Sequence, residues 1–310
     1  MATMKAVVVH QHGGPEVLSY EGVPKPTPGE GDMLLQVEAA GVNPGEAKIR
    51  HGDFAEYHTL PFILGFDLAG TVAELGPGVT QFAVGDTVYT NCDSTRNGGY
   101  AEFVAVRVSE IAQRSRSLDA VHAASVPLAG LTAWQALFDV GGLTTGQTVL
   151  IHGAGGAVGG FAVQFARNAG ATVIATAGES DRDYVQGLGA QTVVDYKTER
   201  FEDAAKDVDV VLDTRGGETQ RRSFTTMKKG GILVVTPAPP DADAAEAHGV
   251  RAKMVEVTPS TAQLTEIAAL IDAGRVKTRI GLTLPLSEAR QAHERLEAGG
   301  TRGKIVLTMA

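Results

Sequence analysis

The chain has 310 residues, which at roughly 150 residues per domain suggests about two domains. Lys and Arg total 27 against 36 Asp and Glu, a formal net charge of −9. No cationic run is long enough to neutralise a phosphate backbone, which argues against nucleic acid as a partner. Apolar residues make up 43% and charged residues 20%, enough to bury real cores. Cys92 is the single cysteine, so an internal disulfide and a multi-cysteine zinc site are both excluded. No apolar run reaches the length of a membrane span and no signal-peptide pattern opens the chain. The expectation is a soluble cytoplasmic protein with no membrane partner.

In chain order, short strands come first. Residues 34–39, 68–75, 87–90 and 100–106 read as strands, with Gly76-Pro77-Gly78 and Val84-Gly85-Asp86 as turns between them. Their spacing predicts a compact barrel-like β domain. The character changes after about residue 118. Helices are predicted over 118–125 and 130–139, the second stopped by Gly141-Gly142. Strands at 148–151, 172–176, 192–195, 208–213 and 231–235 then alternate with helices at 158–168 and 181–188. These strands are continuously apolar, as parallel strands covered on both faces should be. The pattern predicts a doubly wound parallel sheet. A helix at 261–273 closes it, and 282–286, 287–298 and 304–308 form a short β-α-β tail able to pack back on the first domain.

The sharpest motif is the loop Gly153-Ala154-Gly155-Gly156-Ala157-Val158-Gly159 between a buried strand and an amphipathic helix. A dinucleotide site there needs a tight turn, close backbone approach to a pyrophosphate and close helix–sheet packing, each met by a small residue. The helix N-terminus then offers free N–H groups and the positive end of its dipole. A site for NADH usually carries an acid at the tip of the next strand. Here that strand ends Thr176-Ala177-Gly178 without one, and Ser180, Arg182 and Tyr196 can donate to a 2′-phosphate. NADPH is therefore favoured over NADH, with Glu179 and Asp181 weighing on the other side.

Stretches spanning nearly the whole chain resemble the zinc-independent quinone oxidoreductase branch of the medium-chain dehydrogenase/reductase superfamily. They are Gly41-Val42-Asn43-Pro44, Leu64-Gly65-Phe66-Asp67-Leu68-Ala69-Gly70, Val84–Val88, Gly98–Phe103, Ala124–Trp134, the glycine loop and Arg302–Leu307. The resemblance implies an α/β protein with a GroES-like β-rich domain (1–122 and 279–310), a Rossmann domain (123–278) and an active site in the cleft. It further implies a homodimer or homotetramer. In zinc-dependent relatives a Cys, a His–Glu pair and a further Cys or Asp bind the catalytic metal. Here the first Cys position is Asn43 or a neighbour, the His–Glu pair reads Phe66-Asp67, and the four-cysteine lobe is missing. No metal is expected, and Asp67 is read as a structural hydrogen-bonding residue. Without a Lewis acid, hydride delivery to an electron-poor acceptor is favoured over alcohol oxidation.

The resemblance places Asn43 near the nicotinamide ribose, against the plainer reading of a turn residue before Pro44. It places Thr132 on the nicotinamide side, where the plain alternative is a helix-start cap. Gly216, Gly217, Thr236 and Pro237 follow later strands at their carboxyl ends, where ligands sit in open α/β sheets. In the pocket stretch, Glu46 stands at a family acid, Lys48 and Phe54 replace tyrosines, and Tyr57 and His58 follow. Asn43, Lys48 and Tyr57 are the catalytic candidates, with a surface lysine as the plain reading of Lys48. Cys92 is expected to be an inert thiol. The leading expectation is hydride transfer from NADPH to a small quinone. The alternatives are reduction of the C=C bond of an enone, 2-alkenal or enoyl thioester, and an NADPH-binding structural or regulatory protein without turnover. No G-x-S-x-G elbow supports a hydrolase.

Overall fold

The computed structural model describes residues 2–309, which form two compact units. The first takes residues up to Leu128, Pro259–Gly274 and everything from Thr278; the second takes Ala129–Thr258 and Arg275–Lys277. The boundary therefore falls at Leu128 instead of residue 122. The helix Thr261–Asp272, assigned from sequence to the parallel-sheet domain, belongs to the first unit. Tyr89 shows why: its buried hydroxyl donates to the Leu264 carbonyl.

The first unit is organised on one long strand, Asp32–Val42. It pairs antiparallel with Asp67–Leu75, Phe103–Arg107 and Lys304–Thr308. Tyr89 and its strand Thr87–Asn91 extend the sheet beyond Asp67–Leu75. The tail does return: Ile305 lies opposite Val42, and Ile280–Pro285 runs parallel to Lys304–Thr308. A second sheet of three strands, Leu18–Pro24, Thr3–Val9 and Phe62–Ile63, closes the barrel-like core. Leu18–Pro24 was not foreseen. It is an edge strand, half-exposed, carrying Gly22 and Pro24 where a ladder partner would otherwise be needed.

The second unit is a six-stranded, all-parallel sheet in the order 192–195, 172–177, 148–152, 208–213, 227–235, 251–254. Thr148–His152 sits centrally, so the order reverses beside it and its carboxyl end becomes the ligand-binding position of such a sheet. Every residue of Val208–Asp213 is buried, which accounts for the apolar Val210-Val211-Leu212 at its centre. Arg251–Met254 was missed because it is a short, largely exposed edge strand with no apolar run to read. The helix predicted over 130–139 starts earlier, at Pro127, and relaxes into a π-helical turn over Gln135–Val140. No helix among the described residues is long and apolar enough to cross a membrane.

Candidate active site

The glycine loop is built as its sequence requires. Gly153 has φ +74°, in the left-handed region. The Ala154 N–H donates to the Thr176 carbonyl at 3.0 Å, tying the loop to the neighbouring strand. A Cβ on Gly159 would lie 2.4 Å from the Gly153 carbonyl oxygen and 2.7 Å from Ala154 Cα, so the helix can sit this close only without a side chain. Gly156 caps the helix Ala157–Asn168 in an extended conformation, and no side chain caps the first N–H groups. They are left for an anion.

Neighbouring strand ends join the loop. Thr214 Oγ1 donates to the His152 carbonyl at 2.8 Å and lies against Gly153. The Gly216 N–H donates to Asp213 Oδ1 at 3.0 Å, and the Thr236 N–H to the Asp213 carbonyl at 3.1 Å. Pro237 Cγ stands 3.2 Å from where a Cβ on Gly216 would be. The structure thus gathers residues 153–159, Thr176, Gly216, Thr236 and Pro237 along one rim. Asp213, which sequence reasoning passed over, is the fully buried anchor of that rim. Burial raises its carboxyl, and its Oδ2 has no hydrogen-bond partner.

The residues proposed for a 2′-phosphate are placed less simply. Tyr196 is exposed and its ring stands 3.7 Å from a Cβ position on Gly178. Ser180 lies in the turn Glu179–Asp181. Arg182 is already engaged: its guanidinium donates to Glu179 at 2.8 Å, Glu199 at 3.0 Å and the Val193 carbonyl. The Asp181 carboxylate rests on Gly155, 2.8 Å from where its Cβ would be. Thr132 is buried at the sixth position of Pro127–Trp134, past the first turn, so it is not a helix cap.

His152, also unforeseen, ends the central strand. Ser223 Oγ spends its own hydrogen on the Thr219 carbonyl, so it accepts from His152 Nε2–H at 2.9 Å. That leaves Nδ1 to accept from Thr176 Oγ1 at 3.1 Å. Burial, helped by the Arg222 charge, pushes the imidazole down to about 3 from an ordinary 6.5. A base whose folded pKa is lowered contributes stability that is complete above its unfolded pKa and lost as pH falls toward the folded value. The gap is worth up to about 5 kcal/mol. His293 in the first unit is likewise pushed to about 3. There, however, Glu46 is raised to about 7 and regains stability as pH falls from 7 toward 4.5. Asp213, whose carboxyl burial raises, acts in the opposite direction. The second unit should therefore yield first to acid. The chain's single tryptophan, Trp134, reports on it by packing on Phe138 and Phe165. Its urea midpoint should fall steadily from pH 7 to pH 4; a flat midpoint would overturn the assignment of a buried neutral imidazole.

The first unit carries a buried polar chain. Asn43 caps the helix Pro44–His51, and Glu46 returns to its N–H at 2.8 Å, the reciprocal box expected of Asn and Glu three apart. Glu46 also accepts from Phe66 N–H at 3.0 Å and Tyr100 Oη at 2.7 Å. Behind Tyr100 lies His293. Its Nδ1 accepts from Arg50 Nη1 at 2.7 Å, leaving Nε2–H toward the tyrosine oxygen at 3.3 Å. Arg50, fully buried, continues to Glu297 and the Gly13 carbonyl. On the other side, the Asn43 amide donates to Asp67 Oδ2 at 3.1 Å and its oxygen accepts from Lys304 Nζ. Lys304 also donates to Asp67 Oδ2 at 2.6 Å, and Leu128 N–H to Asp67 Oδ1 at 2.6 Å. Asp67 is thus a structural hydrogen-bonding residue.

Of the three catalytic candidates, only Asn43 belongs to this cluster, and its amide is committed on both donor and acceptor sides. Lys48 is exposed on the following turn, and Tyr57 is 63% exposed. Cys92 is buried, its thiol pushed well up and aimed at the Gly65 carbonyl. Arg50, Tyr100, His293 and Lys304 escaped sequence reading because they lie up to 261 positions from their partners.

Residues 29–116 match the alcohol dehydrogenase GroES-like domain and 188–307 the zinc-binding dehydrogenase domain. The chain is 33% identical to a quinone oxidoreductase of Rattus norvegicus, over 99% of this chain and 98% of that one. The quinone oxidoreductase of Coxiella burnetii superposes over all of both chains, with TM-score 0.93 and 34% identity. The chain belongs to the quinone oxidoreductase branch of the medium-chain dehydrogenase/reductase superfamily. It is thereby an oxidoreductase of a family that binds a nicotinamide cofactor. A mycobacterial member solved with NADPH covers 98% of this chain at TM-score 0.88 and 32% identity. The zinc of the domain description does not fit the donor set here. The resemblance puts Phe66 at the histidine position, and Asn43 and Asp67 both hold the Lys304 ammonium. Among the described residues, no group of three or more His, Cys, Asp or Glu could hold a metal.

Proposed function

We propose that this protein is an NADPH-dependent, zinc-independent reductase that delivers hydride to a small quinone. The observation that carries the reading is the donor set at the zinc positions: with Lys304 bound to Asn43 and Asp67, an acceptor must be electrophilic before it arrives. Quinones meet that condition. The glycine loop fits the cofactor: it turns tightly enough for a pyrophosphate to approach the uncapped N-terminus of the helix Ala157–Asn168. Bound NADPH supplies the hydride, and reduction consumes one proton, which for a quinone oxygen can come from water. The chain contributes binding and orientation. Thr176, Gly216 and Thr236 hold the rim against the loop, and the Glu46–Asn43–Asp67 network fixes the acceptor-side backbone.

The strand tip without an acid favours NADPH, with Tyr196 and Arg182 beside it. Glu179 then acts as a competitor, since it neutralises the guanidinium that a 2′-phosphate would use. The test is oxidation of NADPH, with NADH in parallel, against an ortho-quinone and a 2-alkenal. The wild type is expected to consume NADPH rapidly with the quinone. Glu179→Gln should lower KM for NADPH several-fold and leave NADH unchanged. Turnover of the alkenal alone would make the protein a C=C reductase. Tight NADPH binding without turnover of either acceptor would make it a binding protein.

A further inference from the structure

We propose that the Lys304 ammonium stands where zinc-dependent members of the superfamily hold their metal, and that the site takes no divalent cation while it stays there. The inference deepens the zinc-independent reading above and rests on its assignment of positions 43 and 67. The resemblance puts Asn43 or a neighbour at the first metal-ligand position and Asp67 at the acid of the His–Glu pair, and Lys304 Nζ bonds to both Asn43 and Asp67.

The placement is built into the fold. Ile305 pairs with Val42, so the return of the C-terminal strand brings Lys304 to the end of the strand that leads into Asn43. Gly41 clears its path: a Cβ there would lie 2.8 Å from Lys304 Cε, 2.6 Å from the Ala124 carbonyl and 3.0 Å from Asp67 Cβ. Lys304, Asp67 and Asn43 are all buried. The acceptors that receive the ammonium are themselves held. Asp67 also takes the Leu128 N–H, and Asn43 donates both its backbone N–H and its side-chain amide to Glu46. Neither side chain can turn to a metal without breaking that shell. A divalent ion placed within bonding distance of the same two oxygens would also face a buried positive charge at contact range, where repulsion is screened least.

The test restores the ligands and varies the lysine. Asn43→Cys/Phe66→His is compared with the same pair plus Lys304→Met, both titrated with cobalt(II) and read by the thiolate-to-cobalt absorption band. With Lys304 in place, no thiolate band should form at one equivalent. With Lys304→Met added, one cobalt should bind at least 100-fold more tightly, with the band and a raised melting temperature. Equal cobalt binding by both proteins, or no gain on removing the lysine, overturns the proposal. If the triple variant does not fold even when refolded with cobalt, the wild type decides. Its Lys304 15N-ammonium resonance should persist unchanged in excess zinc, and its disappearance with stoichiometric uptake overturns the proposal. Wild-type turnover is recorded separately: its absence counts against the reductase reading and leaves the cobalt comparison intact.

Discussion

Replacing Asp67 by leucine should destabilise the first unit by about 3–5 kcal/mol, a fall in melting temperature on the order of 10 °C. Asp67 is fully buried and accepts three hydrogen bonds, one of them from the buried Lys304 ammonium. Leucine has the same branching at Cγ and is no smaller, so the loss is not a cavity effect. It comes from leaving a buried positive charge with only the neutral Asn43 oxygen, and from removing the carboxylate that the Asn43 amide and the Leu128 N–H donate to. The second substitution separates these causes. Adding Lys304→Met to Asp67→Leu removes the stranded charge and should recover most of the loss, because well-packed apolar pairs often replace buried ion pairs without penalty. Urea unfolding of the single and double variants measures the coupling directly. A single-variant cost below about 1 kcal/mol, or a double variant no better than the single, would show that the pair contributes little.

The same cluster marks where sequence reading stopped. Asn43, Glu46 and Asp67 were singled out by the family resemblance, with a turn before Pro44 as the plain reading of Asn43; the capping pattern of Asn43 with Glu46 three positions on was written locally but was not read. Their partners Tyr100, His293 and Lys304 sit on segments that read only as strand or helix, and nothing in a single chain pairs position 43 with position 304. The second unit was more legible. Its loop works through backbone spacing and missing side chains, and both are written locally in Gly153 to Gly159. The bounds of 192–195 and 208–213 agree with the observed strands because each run is bordered by polar residues, and 304–308 begins as predicted after Gly303. Arg251–Met254 was illegible for the opposite reason: an exposed edge strand takes its identity from backbone pairing with Ile232–Val235, which leaves no hydrophobic signature. Arg182 shows a third limit. Its type and position suit a phosphate, but Glu179 and Glu199 compete for the same donors, and only geometry shows them in contact.

Gly159→Ala should abolish useful cofactor binding, raising the Kd for NADPH on the order of 100-fold, equivalent to about 2.7 kcal/mol. By propensity alone the change should strengthen the helix Ala157–Asn168, since alanine is favoured over glycine in a helix by about 1 kcal/mol. The obstacle is steric and lies in the backbone. The new methyl would sit 2.4 Å from the Gly153 oxygen, 2.7 Å from Ala154 Cα and 2.8 Å from the Gly153 carbonyl carbon. None of these atoms can escape by a change of rotamer, so the loop must move away from the helix and carry its N–H groups out of register with a pyrophosphate. Gly160→Ala is the matched control one position on. Its methyl would meet the Tyr184 hydroxyl at 3.3 Å and nothing else closer than 3.7 Å, so binding should stay within about threefold of wild type, under 1 kcal/mol. Titration of NADPH followed by fluorescence distinguishes the two, with Trp134 emission confirming that the second unit remains folded. Equal affinity in Gly159→Ala and wild type would mean that the cofactor does not use this loop. Equal loss in both variants would mean that the helix, and not the close approach at Gly159, limits binding.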